Sequence, residues 1–294
     1  MTRSSAETRA RRRFGAVLAL PAALLLLMLV IGPSLIALGL SVTDYRLGMD
    51  EVQWVGAENY ARLIDDTGLR QSIVNTVSFV LVVAPLSVLG GLWVAVLVAG
   101  AGRLQGLFQT VFFLPVTATL VAMATAWEVV LHPSFGMLNA LLETLGLPAQ
   151  RFLSDPDLAL WTLAAIAVWK MLGYNVLLFL AGMATIDRQL YEAAALDGAE
   201  DGWRRFTLVT WPMLAPVTLF VTVITLIRAL GEFELVAVLT NGGPDGATEM
   251  VIFKLYQEAF RFFDIGAASA LAVVFLLAVM VLSLAQVTLA ERRK

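Results

Sequence analysis

The stretch Tyr191-Glu192-Ala193-Ala194-Ala195-Leu196-Asp197-Gly198-Ala199 is a polar island between long apolar runs, and it continues through Trp203 and Phe206 to Pro212 and Pro216. Its local pattern is helical. Asp187 can cap a short helix from Arg188 to Leu196 by accepting backbone N–H groups. Three consecutive alanines leave little side-chain bulk, and Gly198 suits the left-handed residue that closes a helix. Glu200 and Asp201 fall in the first turn of a second helix, where the helix dipole favours negative charge. Pro212 ends that helix or starts the next. The reading is a rigid helix–turn–helix elbow over about 187–211 at a membrane surface. A small-residue face lets another protein's groove approach closely, and a rigid elbow can transmit force.

Working outward, the apolar runs on either side are membrane helices. Of the 294 residues, 59% are hydrophobic and 15% charged, where a soluble domain carries about a quarter charged residues. The runs are about 20 residues or longer, enough to cross a bilayer. They span roughly Phe14–Val42, Ile73–Val98, Leu107–Leu131, Leu158–Thr185, Met213–Leu230 and Ala267–Leu289. Residues 1–13 form a polar cytoplasmic tail and 14–294 a single transmembrane domain. The first run is too long for a signal-peptide core and reads as an uncleaved helix. Arg3, Arg9 and Arg11–Arg13, then Arg103, Arg188, Arg204, Arg205 and Arg292-Arg293-Lys294, all fall on one side of a six-span topology. That side is therefore the cytoplasm, and both termini lie there. The fold class is all-α: a polytopic membrane protein with six transmembrane helices.

Several chemistries are absent from the sequence. There are no cysteines, so disulfides and thiolate metal sites are excluded, and the single histidine, His132, is a poor metal site and leaves no convincing catalytic triad. His132 reads as an interface residue. No G-x-x-x-x-G-K-[ST] sequence occurs, so ATP has no P-loop here, and Gly242-Gly243-Pro244 is a turn former without the lysine a phosphate cradle needs. No basic tract suggests nucleic acid. Charges and amides inside spans are costly and so point to function. Trp169, Asn175 and Glu232 are the candidates for a substrate path, because aromatic faces and polar groups suit sugar rings and hydroxyls. Lys170, Tyr174, Arg228 and Glu234 lie near them in the chain. Arg228 and Glu232 stand at i,i+4, so a helical ion pair is the alternative reading of those two.

The elbow resembles the EAA loop of binding-protein-dependent ABC importers: Glu192-Ala193-Ala194, then Asp197-Gly198-Ala199, an aromatic residue and Pro212. One departure is visible: the spacing from Ala199 to Trp203 is one residue longer than the family pattern, with Gly202 as the extra. Trp54-Val55-Gly56-Ala57-Glu58-Asn59-Tyr60, Gly136 with Leu138-Asn139, and Thr240-Asn241-Gly242-Gly243-Pro244 with Thr248 resemble outer-side segments of the carbohydrate-importing branch, the maltose and glycerol-3-phosphate permease type. The resemblance implies a type I ABC importer permease fold. It implies one permease subunit moving a sugar or related solute by alternating access. Glu192, Ala193, Ala194, Asp197, Gly198 and Ala199 would couple it to an ATPase. It also implies a second permease subunit in a heterodimer, two cytoplasmic ATPase subunits that hold the ATP and Mg, and an extracytoplasmic solute-binding protein. The chain itself would bind no cofactor and catalyse no reaction, and would sit in a bacterial cytoplasmic membrane. The alternatives are a permease for a non-sugar solute such as a polyamine, or an ion-coupled secondary transporter. Sparse intramembrane acids and the absence of a clear internal repeat weigh against the latter.

Overall fold

A computed structural model of the chain describes residues 5–199 and 202–291. Arg3, Glu200, Asp201, Arg292, Arg293 and Lys294 lie outside the described residues. The described chain is helical, with two isolated antiparallel bridges, Thr43–Trp54 and Arg46–Asp264, and no strand. Its packing divides into two units, residues 1–65 with 255–276, and residues 66–254 with 277–294.

In the first unit, α1 (Ser5–Leu26) passes through a π-turn (Leu27–Ile31) into α2 (Gly32–Leu40). Pro33 has no N–H to give the Leu29 carbonyl. Just before it the turn widens, and the Gly32 N–H reaches back to the Leu27 carbonyl. Leucines along this helix are exposed all round, as suits a segment bathed in lipid. α3 (Glu58–Asp65) is tied back to the end of α2 by Asn59, which is buried and donates through Nδ2 to the carbonyls of Ser41 and Thr43, each at 2.8 Å. Tyr60 Oη donates to Ser41 Oγ at 2.7 Å. Arg46 and Arg62 flank the Asp264 carboxylate at 3.0 and 3.8 Å. In the Trp54–Tyr60 segment, then, Asn59 and Tyr60 do the anchoring and Trp54 stays exposed.

The second unit contains α4 (Thr67–Ala99), α5 (Gln105–Thr117), α6 (Leu120–Val130), α7 (Met137–Thr144), α8 (Pro156–Ala184), α9 (Arg188–Leu196), α10 (Gly202–Arg205) and α11 (Trp211–Leu230). α12 (Val251–Phe260) and α13 (Ile265–Glu291) have residues in both units. α4, α8 and α11 form the core, with Phe79, Val83, Leu163, Val176, Phe179, Leu214 and Val221 fully or almost fully buried. Lipid tails are as apolar as these side chains, so association rests on close packing rather than on escape from water. Gly173 shows how close: a β-carbon there would meet the Phe112 carbonyl oxygen of α5 at 2.2 Å. Asp66 caps α4, accepting from the Leu69 N–H at 3.0 Å and pairing with Lys254 at 3.0 Å.

Two sequence expectations are corrected. The third apolar run, expected to be one helix over Leu107–Leu131, is two helices bent by 99°. Ala118 and Thr119 are extended, with ψ 138° and 141°. The break follows Pro115, whose missing N–H leaves the helix short of a bond just before it. Five helices are long and apolar enough to cross a membrane, and six if this bent pair counts as one span. The second correction concerns Pro212. It does not separate an elbow helix from a span beginning at Met213. The chain is helical from Gly202 to Leu230, through α10, a π-turn at Phe206–Thr210 and α11. The Trp211 N–H reaches back to the Phe206 carbonyl, the same widened turn ahead of a proline as at Pro33. A π-turn holds one more residue than an α-turn.

Candidate functional site: the elbow and an intramembrane cavity

The elbow begins where the sequence places it. The Asp187 carboxylate accepts the Gln189 N–H at 3.0 Å, which satisfies one of the free donors at the start of α9. At the other end the Ala199 N–H bonds the Ala194 carbonyl at 2.8 Å and the Gly198 N–H bonds the Ala195 carbonyl at 3.0 Å. These are the paired bonds of a Schellman motif, and they require Gly198 at φ +78°. Nothing lies within 4 Å of the place a Gly198 β-carbon would occupy, so the demand for glycine there is conformational, not steric. The expected role of Glu200 and Asp201 lies outside the described residues.

Side chains divide the elbow into an anchored and a presented side. Tyr191 is half-buried, its hydroxyl 3.3 Å from Thr210 Oγ1 and its ring under the Arg205 guanidinium at 4.3 Å. Ala194 packs inward and Ala199 is buried. Glu192, Ala193, Asp197 and Gly198 face outward. Beside them stand Leu196, 91% exposed, and Trp203, 75% exposed. The six residues that the sequence singles out are thus brought together, four on the presented side and two beneath it. Leu196 was visible in the sequence as a lone leucine beside Asp197. The Tyr191–Arg205 stack was not, because it depends on the angle at which the second limb leaves.

A cavity of about 280 Å³ lies among α5, α8 and the end of α11, lined by Lys170, Tyr174, Arg228, Glu232 and Glu234, with Val116 among its apolar walls. Lys170 is at the midpoint of the 29-residue α8. The Arg228 guanidinium lies 4.2 Å above the Tyr174 ring. Glu232 is buried, and its Oε1 accepts the Leu235 N–H at 3.1 Å. The helical pairing of Arg228 with Glu232 does not form. α11 ends at Leu230, so Glu232 is no longer one helical turn above Arg228. Of the three substrate-path candidates, only Glu232 lines the cavity. Trp169 is 43% exposed and packs edge-on against Trp127, ring centres 5.5 Å apart. Asn175 is fully buried, where its Oδ1 accepts from Thr225 Oγ1 at 3.1 Å and its Cβ packs on Gly91.

A second concavity of about 500 Å³ is lined by Glu128, His132, Ser154, Thr240, Gly243 and Pro244. His132 stacks on Phe135 at 3.5 Å between ring centres, and its Nδ1 accepts the Ser134 N–H. Thr248 Oγ1 lies 2.7 Å from both Thr240 Oγ1 and the Gly243 carbonyl oxygen, which fixes the turn. Among the described residues no group of three or more His, Asp or Glu side chains is placed to hold a metal.

The family described as "Binding-protein-dependent transport system inner membrane component" matches residues 10–294. The chain belongs to that family. Membership makes it a multi-pass membrane component of a transport system, not an enzyme. It is 33% identical over 278 residues to the sn-glycerol-3-phosphate transport system permease protein UgpA of Pectobacterium atrosepticum, covering 94% of each chain. It is 37% identical over 142 residues to UgpA of Agrobacterium fabrum; that stretch spans about half the length of the relative, 48%, and 48% of this chain. Its fold matches a chain of a bacterial alginate ABC transporter in complex with an alginate pentasaccharide-bound periplasmic protein, with a TM-score of 0.85 at 22% identity, covering 97% of this chain and 96% of that one. A second alginate importer structure matches with a TM-score of 0.82.

Proposed function

We propose that this chain is one permease subunit of an ATP-driven importer that takes a sugar or sugar-related solute from an extracytoplasmic binding protein into the cytoplasm. The observation that carries the reading is the presented face of the elbow. Glu192, Ala193 and Leu196 project from a short helix, α9, that is fixed at both ends and anchored by Tyr191, and Trp203 stands beside them on α10. An exposed leucine and tryptophan on a rigid polar elbow are what a protein groove buries. The groove belongs to an ATPase subunit that holds ATP and Mg, one of two beneath the membrane. A second permease subunit completes the pathway. The relatives' names attach to a glycerol phosphate and to an acidic polysaccharide, which supports a polyol or sugar framework for the solute. ATP binding closes the ATPases, the elbow moves as a unit, and the spans rock between inward-facing and outward-facing states.

The test is reconstitution. Purified with its partner permease and ATPases in liposomes, together with the binding protein, the chain should support solute-stimulated ATP hydrolysis and uptake. Uptake by this chain alone, driven by an ion gradient and indifferent to ATP, would overturn the reading.

A further inference from the structure

Lys170 and Arg228 share one cavity, and neither has a carboxylate within 4.0 Å among the described residues. Lys170 stands at mid-span, where an ionisable group is expensive and is kept for a partner or a task. Arg228 is stacked on Tyr174. Stacking holds the plane of a guanidinium while leaving its edge of N–H donors free. Of the cavity's carboxylates, Glu232 is near enough to feel the charge of Lys170, but neither it nor Glu234 forms an ion pair with Lys170 or Arg228. Glu232 is buried and turned to the Leu235 N–H. Glu234 is exposed on the rim. The geometry points to an anion-binding subsite: Lys170 and Arg228 take a carboxylate or phosphate monoester carried by the solute, and Tyr174 and Glu234 take its hydroxyls.

This rests on the importer reading and narrows it. The cavity favours an anionic solute for passage, because a neutral sugar brings no counter-charge to the two cations. It also rejects a polyamine, which would bring further positive charge to the two cations.

The experiment uses the complete importer in cells, with labelled sn-glycerol 3-phosphate, a labelled uronate oligosaccharide and labelled maltose as probes. One anionic probe should be taken up and maltose should not. Lys170→Met and Arg228→Gln should each lower uptake of that anion by about tenfold or more, the usual effect of losing a charged hydrogen bond. Lys170→Arg should restore part of it. Both neutral variants should still co-purify with the ATPase and the second permease subunit. Uptake of maltose alone, uptake of none of the probes, or unchanged anion uptake in both variants overturns the subsite. So does loss of the second permease subunit from either variant, which would show that its carboxylates neutralise the two cations. Failure of the native chain to bind any ATPase is a separate result and overturns the importer reading itself.

Discussion

At the scale of single residues, Gly198 and Gly173 are both glycines for different reasons. Gly198 has open space around it but a left-handed backbone, which costs another residue about 1–2 kcal/mol. Gly198→Val should therefore uncouple ATP hydrolysis from solute, while Gly198→Asn, which tolerates that region, should keep most of the coupling. Solute-stimulated ATP hydrolysis in reconstituted complexes measures both. Gly173 has an ordinary backbone but no room. Gly173→Ala should lower stability by about 1–3 kcal/mol through overpacking against α5, read as a fall in thermal unfolding temperature in detergent. Asp66 offers a test with pH. Burial alone would raise its carboxyl, but the Leu69 N–H and Lys254 outweigh that and hold it below the usual carboxylate range. A depressed folded-state value means that its stabilisation is present above the unfolded value of about 3.9 and is lost as pH falls through the lower folded value. The gap in unfolding temperature between the native protein and Asp66→Asn should be constant above about pH 5 and close below about pH 4. A gap that does not change across this range would remove the ion pair from the account.

At the scale of elements, the elbow is a helix whose two faces do different work. Tyr191, Ala194 and Ala199 hold it down; Glu192, Ala193 and Leu196 are presented. Leu196→Asp and Glu192→Lys should each weaken ATPase co-purification, because they alter the presented face. Neither should change membrane insertion, since neither touches a span. Tyr191→Leu should leave that face intact yet reduce solute-stimulated ATP hydrolysis, because the elbow loses its tie to Thr210 and Arg205. Equal loss of co-purification in all three variants would mean that the two faces are not separable. The cap at Asp187 and the closing glycine were legible in the sequence because each is set within a few residues. The 99° break after Thr117 and the unbroken run through Pro212 were not. A proline in an apolar run signals a lost N–H, and the sequence does not say whether the helix breaks, as after Pro115, or widens into a π-turn, as before Pro33 and Pro212.

At the scale of the whole molecule, we propose from the arginine asymmetry that both termini and the elbow face the cytoplasm. In intact cells, Leu196→Cys should be shielded from an impermeant thiol reagent while Leu145→Cys, in the outer loop, should react. The absence of native cysteines makes the assay clean. Reaction at Leu196→Cys would invert the topology. The sequence by itself determined that the chain is helical and membrane-spanning, and where the elbow lies. Hydrophobic run length, capping residues and charge asymmetry are properties of neighbours along the chain, and they act before any helix finds another. Only the tertiary structure decided which polar residues share a space. Asn175 and Lys170 are little more than one turn apart on α8, yet one is packed between α4 and α11 and the other opens into a cavity with Arg228 from α11. Hydropathy cannot separate them, since both read as polar residues in an apolar run. The difference is set by which helix each one faces, and that is fixed by the closeness with which α4, α5 and α11 pack on α8.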